Sequence, residues 1–186
     1  MKSVLNKFAA LTGALLLSAS MAFAATEQGN GLAQQRVSRS VRKALVTLPF
    51  YGVFDNLAYE VNGDTVTLHG QVVRPSTRSA AEGRVRRIEG VARVVNHIEV
   101  LPLSSFDDSI RARAYRTVFN TGGLYRYAMG ANPSIHIVVN RGHLTLEGVV
   151  GNEGDSRLAS IAARQVPGVF SVTNNLRVEG RDGRAR

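Results

Sequence analysis

The sequence predicts an α+β protein with two tandem domains, each a two-layer αββαβ sandwich in which two helices cover one face of a three-stranded mixed sheet. The first observation behind this fold class is an internal repeat, because residues 62–100 align with residues 140–178 at a constant shift of 78 without a gap. The second is that the matching residues fall at turns and at alternating apolar positions, for example around Gly70 and Gly148. What repeats is therefore a small fold, and nothing of catalytic type repeats with it.

The first domain is assigned to residues 40–101. Ser40 is a suitable N-cap, and apolar residues follow it at helical spacing until Pro49 ends the helix. Two strands of alternating apolar residues come next, and a turn at residues 62–64 joins them into a hairpin. A second helix opens at Pro75 and leads to a third strand.

The second domain is assigned to residues 109–179, after a linker at residues 102–108. It repeats the same order, with Ser109 as the N-cap of its first helix, a hairpin turn at residues 140–142 and Gly168 at the end of its second helix. The second helix of each domain connects parallel strands. Because only one face of each sheet is apolar, both helices are expected to cover that face.

Two residue types recur at inward positions of the strands. Gly70 and Gly148 lie on the second strand of each copy, where we expect a helix or a bulge to approach the backbone closely. Asn96 and Asn174 lie on the third strand, and we interpret them as structural residues that bond to backbone near the glycine before that strand.

The N-terminal residues 1–24 have the form of a secretory signal peptide. Lys2 and Lys7 border an apolar run at residues 8–19, and residues 22–24 fit a small-x-small cleavage site. The alternative is a membrane anchor, but the run is shorter than the about 20 residues that a spanning helix needs. We therefore expect export, with a periplasmic location.

The cysteine count and the net charge limit the kinds of partner that the protein can be expected to bind. The chain has no cysteine, so we expect no lipid attachment, no disulfide and no thiolate metal site. Its net charge of +9 becomes +7 without residues 1–24, and part of that excess lies in a polar, flexible leader at residues 25–39 and a basic tail at residues 180–186. A basic exported protein meets anionic surfaces such as phospholipid headgroups, and export disfavours nucleic acid as a partner.

The motifs give no support to catalysis. The chain has no cysteine nucleophile, no G-x-S-x-G, no H-E-x-x-H and no P-loop, so we predict no enzyme and no cofactor. Strand alternation allows all four histidines to lie on outward sheet faces, with His69 and His97 as neighbours across the sheet. No third histidine or carboxylate has ligand spacing, so no metal site is predicted. The four are His69, His97, His136 and His143.

The strand and turn motifs resemble those of the BON domain, named for bacterial osmotic-shock and nodulation proteins. The first copy contributes Val66-Thr67-Leu68-His69-Gly70 and the glycine-valine pattern of residues 90–100, and the second copy contributes residues 144–148 and 168–178. The resemblance implies non-catalytic domains that bind phospholipid and support envelope integrity under stress. Two copies behind a signal peptide look like the dual-BON periplasmic proteins of Gram-negative bacteria.

The second copy carries about nine extra residues, because the first helices are offset by 69 positions and the strands by 78. The extra segment, residues 121–133, combines tyrosines and arginine between glycines, which suits a membrane interface. The resemblance also places a lipid-binding face near this first helix. The alternative is that the aromatic residues cap the domain core or the repeat interface. The candidate lipid-binding residues are Arg113, Arg116, Phe119, Leu124, Tyr125, Arg126 and Tyr127.

The leading functional hypothesis is reversible binding to anionic phospholipid surfaces in support of the cell envelope. The alternatives are a protein-interaction module that docks on an envelope complex and a stress-related, chaperone-like factor. A second basic cluster in the first domain is interpreted as a solvated helix face, with a headgroup-binding stripe as its alternative. It consists of Arg78, Arg84, Arg86, Arg87 and Arg93.

Overall fold

The computed structural model describes residues 31–130 and 132–180, which form two tandem α+β domains, as predicted. The first domain consists of α1 (residues 31–46), β1 (Asn56–Asn62), β2 (Thr65–Val72), α2 (Pro75–Val85), β3 (Arg93–Asn96) and β4 (Glu99–Val100). The second consists of α3 (Ser105–Phe119), a 3-10 helix (Leu124–Ala128), β5 (Ile135–Asn140), β6 (His143–Val150), α4 (Glu153–Arg164), β7 (Ser171–Asn174) and β8 (Arg177–Val178).

In each domain the second strand is the centre of the sheet. β1 pairs with β2 in antiparallel register, whereas β3 and β4 both pair with β2 in parallel. β5 to β8 repeat this arrangement around β6. Each domain buries its own apolar core, with residues such as Val66 and Leu68 in the first and Leu144 and Leu146 in the second.

In each domain, a hydrogen bond between an asparagine side chain and the backbone divides the predicted third strand into two short strands. The Asn96 side chain accepts a hydrogen bond from the Ile98 amide (3.1 Å) and donates one to Glu82 on α2 (3.0 Å). Asn174 likewise accepts from the Leu176 amide (3.2 Å). The structural interpretation of both asparagines is correct, but their backbone partner lies two residues further on, where the strand breaks.

The first helix begins earlier than predicted. Residues 31–39 are helical, so the prediction of a flexible leader is wrong for them, and Ser40 lies inside α1 and is not its N-cap. Val37 is only 9% exposed and extends the buried stripe of the helix by one turn, and in the turn before it the Gln34 side chain donates to the Val61 carbonyl oxygen (2.7 Å). Residues 1–30, with the predicted signal peptide, and residues 181–186 lie outside the described part of the chain.

The helix α3 also begins earlier than predicted, inside the expected linker. Its N-cap is Ser104, whose hydroxyl accepts a hydrogen bond from the Asp107 amide (3.2 Å), and Ser109 lies within the helix. The buried Asp107 carboxylate accepts from the amides of Arg141 and Gly142, both at 2.8 Å. Asp107 therefore fixes the β5–β6 hairpin against the start of α3.

The two strand glycines are required by the neighbouring strand. Gly70 has a φ of +117°, and a Cβ there would lie 2.0 Å from the carbonyl oxygen of Asn56. Gly148 has a φ of +118°, and its Cβ would lie 2.0 Å from the carbonyl oxygen of Ser134. The predicted close approach is thus present, although the backbone at the beginning of the neighbouring strand makes it and not a helix.

A loop of the first domain joins the two domains by closing an edge of the second sheet. The Ile137 amide on β5 donates to the Val53 carbonyl oxygen (2.7 Å), and Val53 and Phe54 pack against the second core. The Phe54 ring contacts the Tyr115 ring edge-on, with centroids 6.3 Å apart. As a result, β5 is buried on both of its faces.

His136 lies on the outward face of β5, as strand alternation allows, but this loop covers it. Its Nδ1 lies 3.2 Å from the Gly52 carbonyl oxygen, and its ring lies 5.3 Å from the Tyr51 ring. Burial lowers the pKa of His136 below its ordinary value. Burial also raises the pKa of the neighbouring Asp55, whose carboxylate accepts from the amides of Gly52 and Val73.

We predict that Gly70→Ala destabilises the protein by about 3 kcal/mol or more, because it combines a backbone clash with an unfavourable φ. The matched control is Gly83→Ala on α2, where a Cβ meets only the end of the Arg87 side chain at 3.9 Å. That control should stabilise the helix by about 0.5–1 kcal/mol. Urea unfolding measures both, and equal effects would contradict the explanation.

Acid should weaken the protein through His136. Since its pKa is lowered on folding, the unfolded chain binds a proton first as the pH falls below about 6.5, and stability decreases by up to about 1.4 kcal/mol per pH unit. Urea unfolding at pH 7.5 and 5.5 tests this. His136→Gln should flatten the dependence, whereas His143→Gln, at an exposed position, should keep it. An unchanged dependence in His136→Gln would show that other groups cause it.

Candidate functional site

The extra segment of the second domain is half buried and half exposed. Gly122 and Gly123, with φ of +50° and +81°, turn the chain from the end of α3 into the 3-10 helix. Leu124 then points into the core and is fully buried, whereas Tyr125 is 63% exposed and Met129 is 66% exposed. Only part of the predicted segment is therefore available to a partner.

Arg126 and Tyr127 hold this segment against the start of α4. The Tyr127 hydroxyl donates to Asp155 Oδ2 (2.6 Å) and accepts from the Gly151 amide (2.9 Å). The Arg126 guanidinium pairs with the same carboxylate and lies 4.7 Å above the Tyr127 ring. The hydrogen bond from Tyr127, together with the Arg126 pair, lowers the pKa of Asp155. Both residues therefore have a structural role in this loop.

Phe119 belongs to the interior, as the alternative interpretation allowed. It is 3% exposed, and its ring lies 4.9 Å from that of Tyr115, which in turn contacts Phe54 of the first domain. The fully buried Leu124 is likewise part of the second core. Two of the seven predicted residues are thus inaccessible.

The outer face of α3 carries the accessible arginines. Arg116 is exposed, and Arg113 is partly exposed and donates from Nε to the Pro167 carbonyl oxygen (3.2 Å). Their neighbour Arg111 differs, since it is 3% exposed, donates to the Val139 carbonyl oxygen (2.7 Å) and pairs with Asp108. Arg113 and Arg116 therefore remain as candidate cationic contacts, whereas Arg111 is structural.

Two exposed phenylalanines that the sequence did not predict as site residues lie together near the start of α3. Phe106 is 45% exposed and Phe170 is 69% exposed, and their ring centroids are 5.8 Å apart. Phe170 also contacts the His143 ring and lies over Gly142, where an added Cβ would come within 2.6 Å of its ring. We call Phe106 and Phe170 the aromatic pair.

Arg113 lies beside the aromatic pair. An added Cβ on Gly168 would meet the Arg113 guanidinium at 3.3 Å and the Phe106 ring at 3.6 Å. Phe106, Arg113 and Arg116 also share one face of α3, because intervals of three and seven residues bring side chains onto the same side of a helix. The helix thus presents an aromatic end and a cationic stripe on the same surface.

The repeat itself contained the signal for the aromatic pair. At the shifts that relate the two copies, Phe106 corresponds to Val37 and Phe170 to Ala92. Both positions carry a small or aliphatic residue in the first copy and an aromatic residue in the second, and a comparison of the two copies reveals this difference. Leu103, which precedes α3, is 96% exposed and adds apolar surface near the same helix end.

The arginine cluster of the first domain is partly paired. Arg84 donates to the Thr47 hydroxyl (3.1 Å), and Arg86 forms an ion pair with Glu82 one turn away. These contacts agree with a solvated helix face. Within residues 31–130 and 132–180, no helix is long and apolar enough to cross a membrane, and no group of three or more potential ligands is arranged to hold a metal ion.

Comparison with known families decides the identity of both domains. The BON domain model matches residues 33–102 and residues 107–180. The chain belongs to the BON-domain family. This is a family of non-catalytic binding domains associated with membranes and the cell envelope.

The other comparisons are distant. No curated protein matches the chain. Two solved structures of CdsD, a structural protein of the type III secretion system of Chlamydia trachomatis, are similar to it. The structure of the CdsD C-terminal domain has 10% identity and a TM-score of 0.32, and the match covers 75% of this chain and 96% of the CdsD chain. The second structure has 13% identity and a TM-score of 0.28, and the match covers 80% of this chain and 95% of the CdsD chain. Likeness at this level carries no functional argument.

We predict that Tyr127→Phe destabilises the protein by about 1–2 kcal/mol, because it removes the hydroxyl that joins Asp155 to the Gly151 amide. Tyr125→Phe is the matched control and should change stability by less than about 0.5 kcal/mol, since Tyr125 is exposed. Chemical unfolding of the two variants gives the comparison. Equal stabilities would show that the Tyr127 hydroxyl does not hold the segment.

Proposed function

We propose that this BON-domain protein binds anionic phospholipid surfaces reversibly, in the periplasm, and thereby supports the cell envelope. The observation that carries the proposal is the exposed aromatic pair next to Arg113 on the second domain. Contiguous exposed apolar surface often marks a binding site for a partner or a membrane. A membrane interface accepts aromatic rings and guanidinium groups at the same depth.

The geometry of α3 suits shallow binding. Its 15 residues span about 20 Å, with the aromatic pair at its beginning and the exposed Tyr125 just after its end. Arg113 and Arg116 lie between them on the outer face. Each arginine near an anionic leaflet contributes about 1 kcal/mol, and the rings add apolar contact at the interface. Of the residues predicted from sequence, the proposal therefore keeps Arg113, Arg116 and Tyr125 as lipid contacts.

Co-sedimentation of residues 25–186 with vesicles tests the proposal. We expect binding to vesicles that contain anionic phospholipid, weaker binding at high salt, and little binding to zwitterionic vesicles. Arg113→Gln/Arg116→Gln should weaken binding by about 10- to 30-fold, as the loss of two contacts of about 1 kcal/mol each requires. Arg86→Gln/Arg93→Gln removes the same charge from the first domain and should have a smaller effect.

A second variant tests whether the aromatic pair contributes to vesicle binding, and its substitutions are taken from the first domain. Phe106→Val/Phe170→Ala gives the second domain the residues that the first domain carries at these positions, so the fold should tolerate it. This variant should lose binding at both low and high salt. If the wild-type chain binds none of the vesicles, the lipid proposal is wrong, and docking of the same surface on an envelope protein becomes the leading function.

A further inference from the structure

Two histidines lie side by side on the open face of the first sheet. His69 is on the central strand β2, and His97 lies between β3 and β4, where its amide donates to the Leu68 carbonyl oxygen (2.8 Å). Their ring centroids are 5.5 Å apart and their planes are inclined by 22°. His97 is exposed and His69 is half-buried, so both imidazoles are reachable from solvent.

The second domain shows that the fold does not require imidazoles here. At the shift of 78, the corresponding residues are Glu147 and Asn175. The Asn175 amide donates to the Leu146 carbonyl oxygen (2.9 Å), as His97 does to Leu68, and the Asn175 side chain donates to Glu147 Oε1 (2.7 Å). The backbone thus brings these two positions into contact in both domains. Only the first domain fills them with nitrogen ligands.

The spacing of the two rings suits chelation. Zinc binds imidazole nitrogen at about 2.0–2.1 Å, so two imidazoles on one tetrahedral ion have centroids about 5 Å apart. The observed separation is close to this value, and rotation about the soft terminal torsion of histidine can turn both nitrogens toward one point. Imidazole is also a preferred ligand of Cu²⁺ and Ni²⁺.

We propose that His69 and His97 form a two-histidine chelating site for a borderline transition-metal cation, Zn²⁺ or Cu²⁺. By strand alternation, Thr67, Gln71, Val95 and Glu99 share this sheet face. The Glu99 carboxylate already accepts a hydrogen bond from Asn140 (3.3 Å). Since no group of three or more ligands occurs in the described residues, water completes the coordination and the bound ion stays exchangeable.

Titration of the untagged protein, residues 25–186, with ZnCl₂ and with CuSO₄ tests the site. Calorimetry gives the affinity, and the imidazole proton resonances report which histidines bind. His97→Asn should weaken binding at least about 10-fold, because it replaces a chelate by a single ligand. His69→Glu/His97→Asn introduces the pair of the second domain, and should abolish binding at this site while the thermal unfolding temperature stays unchanged.

His143→Asn is the control, since it removes another exposed histidine. The His143 Nδ1 atom lies 2.7 Å from the Ser171 hydroxyl. This variant should leave the affinity unchanged. The proposal is overturned if the wild type and His69→Glu/His97→Asn bind the cations equally well, or if added metal shifts only the resonances of other histidines. Vesicle binding does not enter this test, so its outcome is independent of the proposed lipid function.

Discussion

The contact between residues 51–54 and the edge strand β5 determines which side of the second domain faces solvent. Because the Ile137 amide is paired with Val53, the middle of that edge is not available for pairing with another chain. The same loop draws Phe54 onto Tyr115, which lies nine residues, or two and a half helical turns, after Phe106 on α3. Tyr115 and Phe106 therefore lie on opposite sides of the helix, so the interface occupies one side and leaves the other to the aromatic pair and its arginines.

The fold was largely predictable for two reasons. Strand alternation is a local pattern set by the one buried face of each sheet, and the repeat shows the same pattern twice. Both helices begin earlier than predicted, because residues before the predicted caps also favour helix. Ser104 caps α3 in place of Ser109, and the buried Val37 lies in the helical turn before Ser40. The division of the third strand depends on a side-chain-to-backbone bond of Asn96, which alternation does not encode.

The candidate site was less predictable, because exposure depends on packing between domains. The sequence favoured tyrosines and arginines in one segment, yet Tyr127 is tied to Asp155 and Leu124 is in the core. His136 has the strand position of an outward residue, but the first domain covers it. Alternation within a strand indicates which face a side chain takes, whereas the element that lies against that face comes from elsewhere in the chain.

The two copies differ at both of the sites that we propose. Their backbones agree down to the strained glycines and the asparagine that divides the third strand, so that scaffold is fixed by packing. On it, the second domain replaces a valine and an alanine with the aromatic pair, and the first replaces a glutamate–asparagine pair with two imidazoles. Side chains that lie outside the core of their own domain can vary with binding while the scaffold stays the same. Both of our proposals therefore rest on differences between the repeats, because the similarities are explained by packing.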